Sequence, residues 1–174
     1  AVGYGNGVEL ARTALTITVA EASSPDESPV NDRILRILQS YPTDGTYTYW
    51  WPDDSYGWGG NPHDIYYRGS LFAAGDEQLR SYYVGITFEV FMKAFDELDE
   101  EYDLGGELNG VAFDELYELR TDWYVRDLYG MGIVDAMDNY GIGQRVSSWS
   151  DLRPGDIIQF WRHSGSGHNA IFID

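Results

Sequence analysis

The chain contains no cysteine. It therefore has no disulfide, no thiolate metal ligand and no thiol nucleophile. Positive charge is also scarce. Lys93 is the only lysine, and 29 acidic residues stand against 11 basic ones, a formal charge of −18. A surface of that sign repels phosphate backbones, which argues against nucleic-acid binding. It also repels anionic membranes and polysaccharides, except where a local basic pocket intervenes. No apolar run approaches the roughly 18–20 residues of a membrane span. The three histidines, His63, His163 and His168, share no helix face, so no metal or other cofactor is expected. The acidic run 96–103 lacks the ligand spacing and central glycine of a calcium loop, and it reads as a solvated helix end.

What is present is a globular composition. Hydrophobic residues make up 43% and aromatics 16% of 174 residues, enough for one core in one domain without covalent staples. Strong acidity, little lysine and a first residue that is not methionine point to an extracellular or cell-surface protein with a processed N-terminus. Residues 1–29 read as an N-terminal extension, in which VELARTALTITVAEA is a strand or a short helix and SSPDESP is a turn or linker. Val30, Ile34, Leu35, Ile37 and Leu38 have helical spacing up to Pro42. The clearest helix runs over 83–97, with Ile86, Phe88, Val90, Phe91, Ala94 and Phe95 on a broad apolar face. Shorter helices are predicted over 113–120 and 133–140, the second stopped by Gly141. Two strands, 156–162 and 168–173, follow across a Ser/Gly loop. Helices first and strands last predict an α+β fold, a helical N-terminal half packed on a small antiparallel sheet.

Residues 46–69 concentrate Tyr47, Tyr49, Trp50, Trp51, Tyr56, Trp58, Tyr66 and Tyr67 among Gly, Pro, Asp and Asn. Turn residues on that scale predict loops, and loops lie at the surface. Any one ring is a cap on the core by default. So many together are expected to place some of them along a groove, where flat amphipathic rings stack on sugars. Trp50, Trp51 and Trp58 are the candidate stacking residues.

Two further segments carry chemistry. Tyr82-Tyr83-Val84-Gly85-Ile86-Thr87 opens the clearest helix, and Pro154-Gly155-Asp156 launches a strand whose partner opens on His168. With these residues the region from about 80 to 174 resembles the NlpC-type cell-wall peptidases and amidases of the papain-like cysteine hydrolase superfamily. That family reads Asp-Cys-Ser-Gly-Leu at its nucleophile, Pro-Gly-Asp before a strand, and His-Val-Gly-Ile at its base. The resemblance implies a papain-like NlpC-type fold, with Tyr83 at the position of the cysteine, Gly85 at that of the glycine and His168 at that of the base. No residue is carried over for the third polar group that orients the base.

Tyrosine is a poor acyl acceptor. A phenol of pKa near 10 is only about one part in a thousand ionised at pH 7, and thiol-type amide hydrolysis is not expected. Three functions remain open. One is a secreted or cell-surface NlpC-like domain that engages a glycan or peptidoglycan-type polymer without cysteine chemistry. Another is a lyase in which Tyr83 and His168 serve as acid and base for β-elimination, with His63, Arg68 or Arg162 neutralising the substrate carboxylate. The last is a catalytically inactive structural or interaction protein.

Overall fold

The computed structural model describes residues 8–12, 29–51, 59–103, 112, 114–125, 132–163 and 167–174. Helices alternate with small antiparallel sheets, an α+β arrangement. The elements are β1 (Val8–Arg12), α1 (Pro29–Gln39), β2 (Ile65–Tyr67), β3 (Ser70–Ala73), α2 (Tyr83–Tyr102), α3 (Leu116–Trp123), α4 (Ile133–Asn139), β4 (Gln144–Val146), β5 (Ile157–Trp161) and β6 (Gly167–Ile171). One sheet has the order β4-β1-β5-β6, and β2 pairs with β3 in a second.

Helix α2 is the axis of the core. Val84, Phe88, Phe91, Phe95 and Leu98 recur at helical spacing and are buried, and Val90, Met92 and Ala94 bury a second side. Helix α1 lays Val30, Ile34 and Ile37 onto the same core, and its Asp32 and Arg36 complement the dipole at its two ends. Helix α3 adds the fully buried Leu116, Leu119 and Trp123. It starts at Leu116 and not at 113, because Asp114 and Glu115 form a turn; Phe113 lies outside the described residues.

Helix α4 stops where its glycine predicts. Gly141 takes φ 66°, Gly141 N–H donates to the Asp138 carbonyl, and Ile142 N–H donates to the Met137 carbonyl at 2.9 Å. That pair of bonds is a Schellman motif, sealed by the buried Ile142.

The strands depart from the helices-first order read from the sequence, and β2 departs also from the loop reading of 46–69. Val8–Arg12 pairs on both sides, with Leu10 opposite Val146 and also opposite Ile158. Gln144–Val146 is its short outer neighbour. Within 46–69, residues 65–67 form a strand because Ile65 and Tyr67 alternate inward while Tyr66 faces out. The β5/β6 hairpin has Ile157 opposite Ile171 and Phe160 opposite His168. Its Pro-Gly-Asp turn is tied to α1: Asn31 Nδ2 donates to the Pro154 carbonyl at 3.0 Å and to Asp156 Oδ1 at 2.8 Å. Asp156 is fully buried, so in this motif the aspartate holds the turn in place. No helix among the described residues is long and apolar enough to cross a membrane.

Candidate functional site

The N-terminus of α2 meets β6, and Gly85 explains how. The backbone of Gly60 and Asn61 crosses the first turn of α2 so closely that a Cβ on Gly85 would lie 2.2 Å from the Gly60 carbonyl carbon. Tyr82 N–H donates to the Gly60 carbonyl at 3.0 Å. One turn on, the Thr87 hydroxyl lies 3.1 Å from Asn169 Oδ1 of β6, with both residues buried. These contacts hold Tyr83, the first residue of α2, against His168. Their rings meet edge to face with centroids 4.6 Å apart. Leu38, Ile86, Val90, Ala170 and Ile171 line a mostly apolar cleft of about 220 Å³ beside Tyr83.

The segment 48–50 runs alongside. Ser81 N–H donates to the Thr48 carbonyl at 2.8 Å, and Trp50 N–H donates to the Ser81 carbonyl at 2.9 Å. In this extended stretch successive side chains point to opposite sides. Trp50 lies under the Arg80 guanidinium at 4.0 Å. Tyr49 and Trp51 point outward, 65% and 56% exposed. The result is a continuous row of rings. Trp51 packs on Tyr82 at 4.9 Å, Tyr49 on Tyr82 at 6.5 Å, Tyr82 on Tyr83 at 4.2 Å, Tyr83 on His168, and His168 on Phe160 at 6.4 Å.

The row is electrically neutral at neutral pH. Burial pushes the Tyr83 phenol above its ordinary value, partly offset by the hydrogen bond from the Tyr82 hydroxyl at 3.0 Å. Burial pushes Tyr82 up further. Burial, then the charge of Arg162, lowers His168 below its ordinary value, so its imidazole is uncharged. Arg162 is exposed and follows β5 on the side of Phe160 and His168, by strand alternation. Helix α2 has no acidic residue in its first turn and no side-chain cap, which leaves the positive end of its dipole at the row.

The remaining candidates lie elsewhere. Trp58 lies outside the described residues. The Arg68 guanidinium is ion-paired with Asp99 at 3.0 Å, several turns along α2 from Tyr83. His63 belongs to a different cluster. Its Nδ1 lies 2.7 Å from Glu89 Oε1, its backbone N–H donates to Glu89 Oε2 at 2.9 Å, and its Nε2 lies 2.8 Å from the Tyr47 hydroxyl. Lys93 Nζ donates to Glu89 Oε1 at 2.6 Å, and the Tyr41 hydroxyl donates to the same oxygen. Glu89 is fully buried. Its signal in the sequence is a carboxylate inside the apolar run FEVFMKAF, four residues before the only lysine. Among the described residues no group of three or more His, Asp or Glu side chains is placed to hold a metal ion. Comparisons with known protein families, with curated proteins and with solved structures found no match.

Proposed function

We propose that the chain is an extracellular or cell-surface domain of NlpC-like, papain-related lineage, whose cleft serves as a binding surface for a glycan or peptidoglycan-type polymer. The observation that carries this reading is the continuous row Tyr49/Trp51–Tyr82–Tyr83–His168–Phe160, open to solvent at its tyrosine and tryptophan end. Flat, amphipathic rings in a row match the stacking surface that successive sugars present. Arg162 beside the row supplies a contact for a carboxylate on such a polymer. The lineage reading is supported by Tyr83 opening a helix against a strand-borne His168.

The structure narrows the rival β-elimination reading. Burial keeps the Tyr83 phenol protonated, so Tyr83 can serve there only as the acid, with the uncharged His168 as the base. Of the three groups named to neutralise a substrate carboxylate, His63 and Arg68 are held by Glu89 and Asp99 instead.

The test of the binding reading is Trp51→Ala in a pull-down with insoluble peptidoglycan and with neutral glycans. A stacked exposed ring is worth on the order of 1 kcal/mol, so affinity falls several-fold. The melting temperature stays put, because Trp51 is more than half exposed. Trp50→Ala, at a ring covered by Arg80, is the control that leaves binding intact. Equal binding by Trp51→Ala and the parent would sink the reading.

The lineage has its own test. A Tyr83→Cys variant places a thiol at an uncapped helix N-terminus beside His168. Its iodoacetamide rate against pH is expected to inflect below the free-thiol value of about 8.5. An inflection at or above that value means the activating environment of a cysteine hydrolase is absent.

A further inference from the structure

The Tyr47–His63–Glu89 cluster has the ordered geometry of a nucleophile, a base and an orienting carboxylate. The hydrogen bonds set the roles. A carboxylate can only accept, so His63 Nδ1 donates to Glu89 Oε1 at 2.7 Å. In the neutral ring Nε2 then carries the lone pair, and it accepts from the Tyr47 hydroxyl at 2.8 Å. The carboxylate is immobile: it is fully buried and also receives Lys93 Nζ, the Tyr41 hydroxyl and the His63 backbone N–H. The His63 ring is packed edge-on by Tyr41 and Tyr47, with centroids at 5.6 and 5.4 Å. The other end of the relay is accessible, since the His63 side chain is 38% exposed and Tyr47 is half-buried.

We propose that Tyr47 is an acyl-accepting nucleophile, activated by His63 as general base with Glu89 as its positioning residue, and that its substrates are small activated esters. The Tyr47 oxygen forms a bond to the ester carbonyl carbon while its proton passes to His63 Nε2. The tetrahedral adduct collapses, the bond to the leaving alkoxide breaks, and that alkoxide takes the proton from His63. The products are an acyl-tyrosine ester and one alcohol. The base is required here. Burial, with the negative charge of Glu89, holds the Tyr47 phenol above its ordinary value, so free phenolate is scarcer than at an ordinary tyrosine. This site is separate from the ring row and does not depend on the polymer-binding reading.

The experiment treats the full chain with p-nitrophenyl acetate near neutral pH. It follows release of p-nitrophenolate and maps the acetyl group by peptide mass spectrometry. The expected result is acetylation of Tyr47 at least about tenfold faster than of the exposed Tyr49, Tyr66 and Tyr117, a conservative fraction of what a positioned base contributes. His63→Gln lowers the Tyr47 rate to theirs. Tyr47→Phe keeps the packed ring, removes only the hydroxyl and abolishes the fast release. Labelling of Tyr47 at the rate of the other tyrosines, or unchanged by His63→Gln, overturns the proposal. Release that survives Tyr47→Phe at the parent rate places the acyl acceptor on another residue and overturns it equally.

Discussion

Replacing Glu89 with alanine is expected to remove about 3–5 kcal/mol of folding stability, the cost of breaking a buried ion pair from one side. The carboxylate sits at 0% exposure and accepts from the His63 ring, the His63 backbone, the Lys93 ammonium and the Tyr41 hydroxyl. Truncation leaves an ammonium, a backbone N–H and a hydroxyl facing one another without their shared acceptor. The buried Tyr41 hydroxyl keeps its desolvation penalty in full, while Lys93 and His63, 33% and 38% exposed, recover part of theirs from solvent. Against a typical total of about 5–15 kcal/mol, this is a large fraction. Urea denaturation is the measurement, with the midpoint shifted and the slope retained. A companion variant separates charge from shape. Glu89→Leu combined with Lys93→Leu removes both charges together and is expected to recover part of the loss, because a matched apolar pair leaves no stranded ion. A loss below about 1 kcal/mol in Glu89→Ala would mean that the network is solvated and not structural.

Gly85→Ala is expected to behave against its helix propensity. In an open helix interior the exchange gains up to about 1 kcal/mol. Here the added Cβ would meet the Gly60 carbonyl carbon at 2.2 Å, its oxygen at 2.4 Å and the Asn61 nitrogen at 2.6 Å. All three are backbone atoms, so no rotamer change relieves the clash. Helix α2 must move away from residues 60–61, and overpacking of that severity costs about 3 kcal/mol or more. The displacement also lifts Tyr82 off its bond to Gly60 and breaks the ring row where Trp51 meets Tyr82. A melt together with the polymer pull-down should therefore show both properties falling at once. Parent-like stability would mean that the close approach at Gly85 does not constrain the junction.

Local signals carried much of the architecture. Helix α2 was legible because its apolar positions repeat at helical spacing. The end of α4 was legible because Gly141 has one obvious use. The β5/β6 hairpin was legible from two apolar runs around a Ser/Gly loop, whereas the approach of His168 to Tyr83 was expected only from the family resemblance. Long-range and side-chain choices were not legible. Nothing within VELAR says that it pairs between β4 and β5. Trp50 and Trp51 are identical neighbours, yet one is covered by Arg80 and the other lies open, because an extended chain alternates. His63 and Arg68 read as free to meet substrate until Glu89 and Asp99 were found opposite them. A carboxylate chooses its partner in three dimensions, and twenty or more intervening residues erase that choice from the local pattern.

The pairing of β1 has a consequence for the order in which the chain can become itself. Val8 lies opposite Phe160, and Ala11 lies opposite both Arg145 and Ile157. Strand β1 thus precedes in the chain both strands that flank it, with all four helices of the described residues made in between. Until Gln144 has left the ribosome, neither of the strands that flank β1 among the described residues has been made, and a fragment that ends sooner lacks both. Contacts this distant in sequence are slow to close, and an unpaired edge is open to pairing with other chains in the interval.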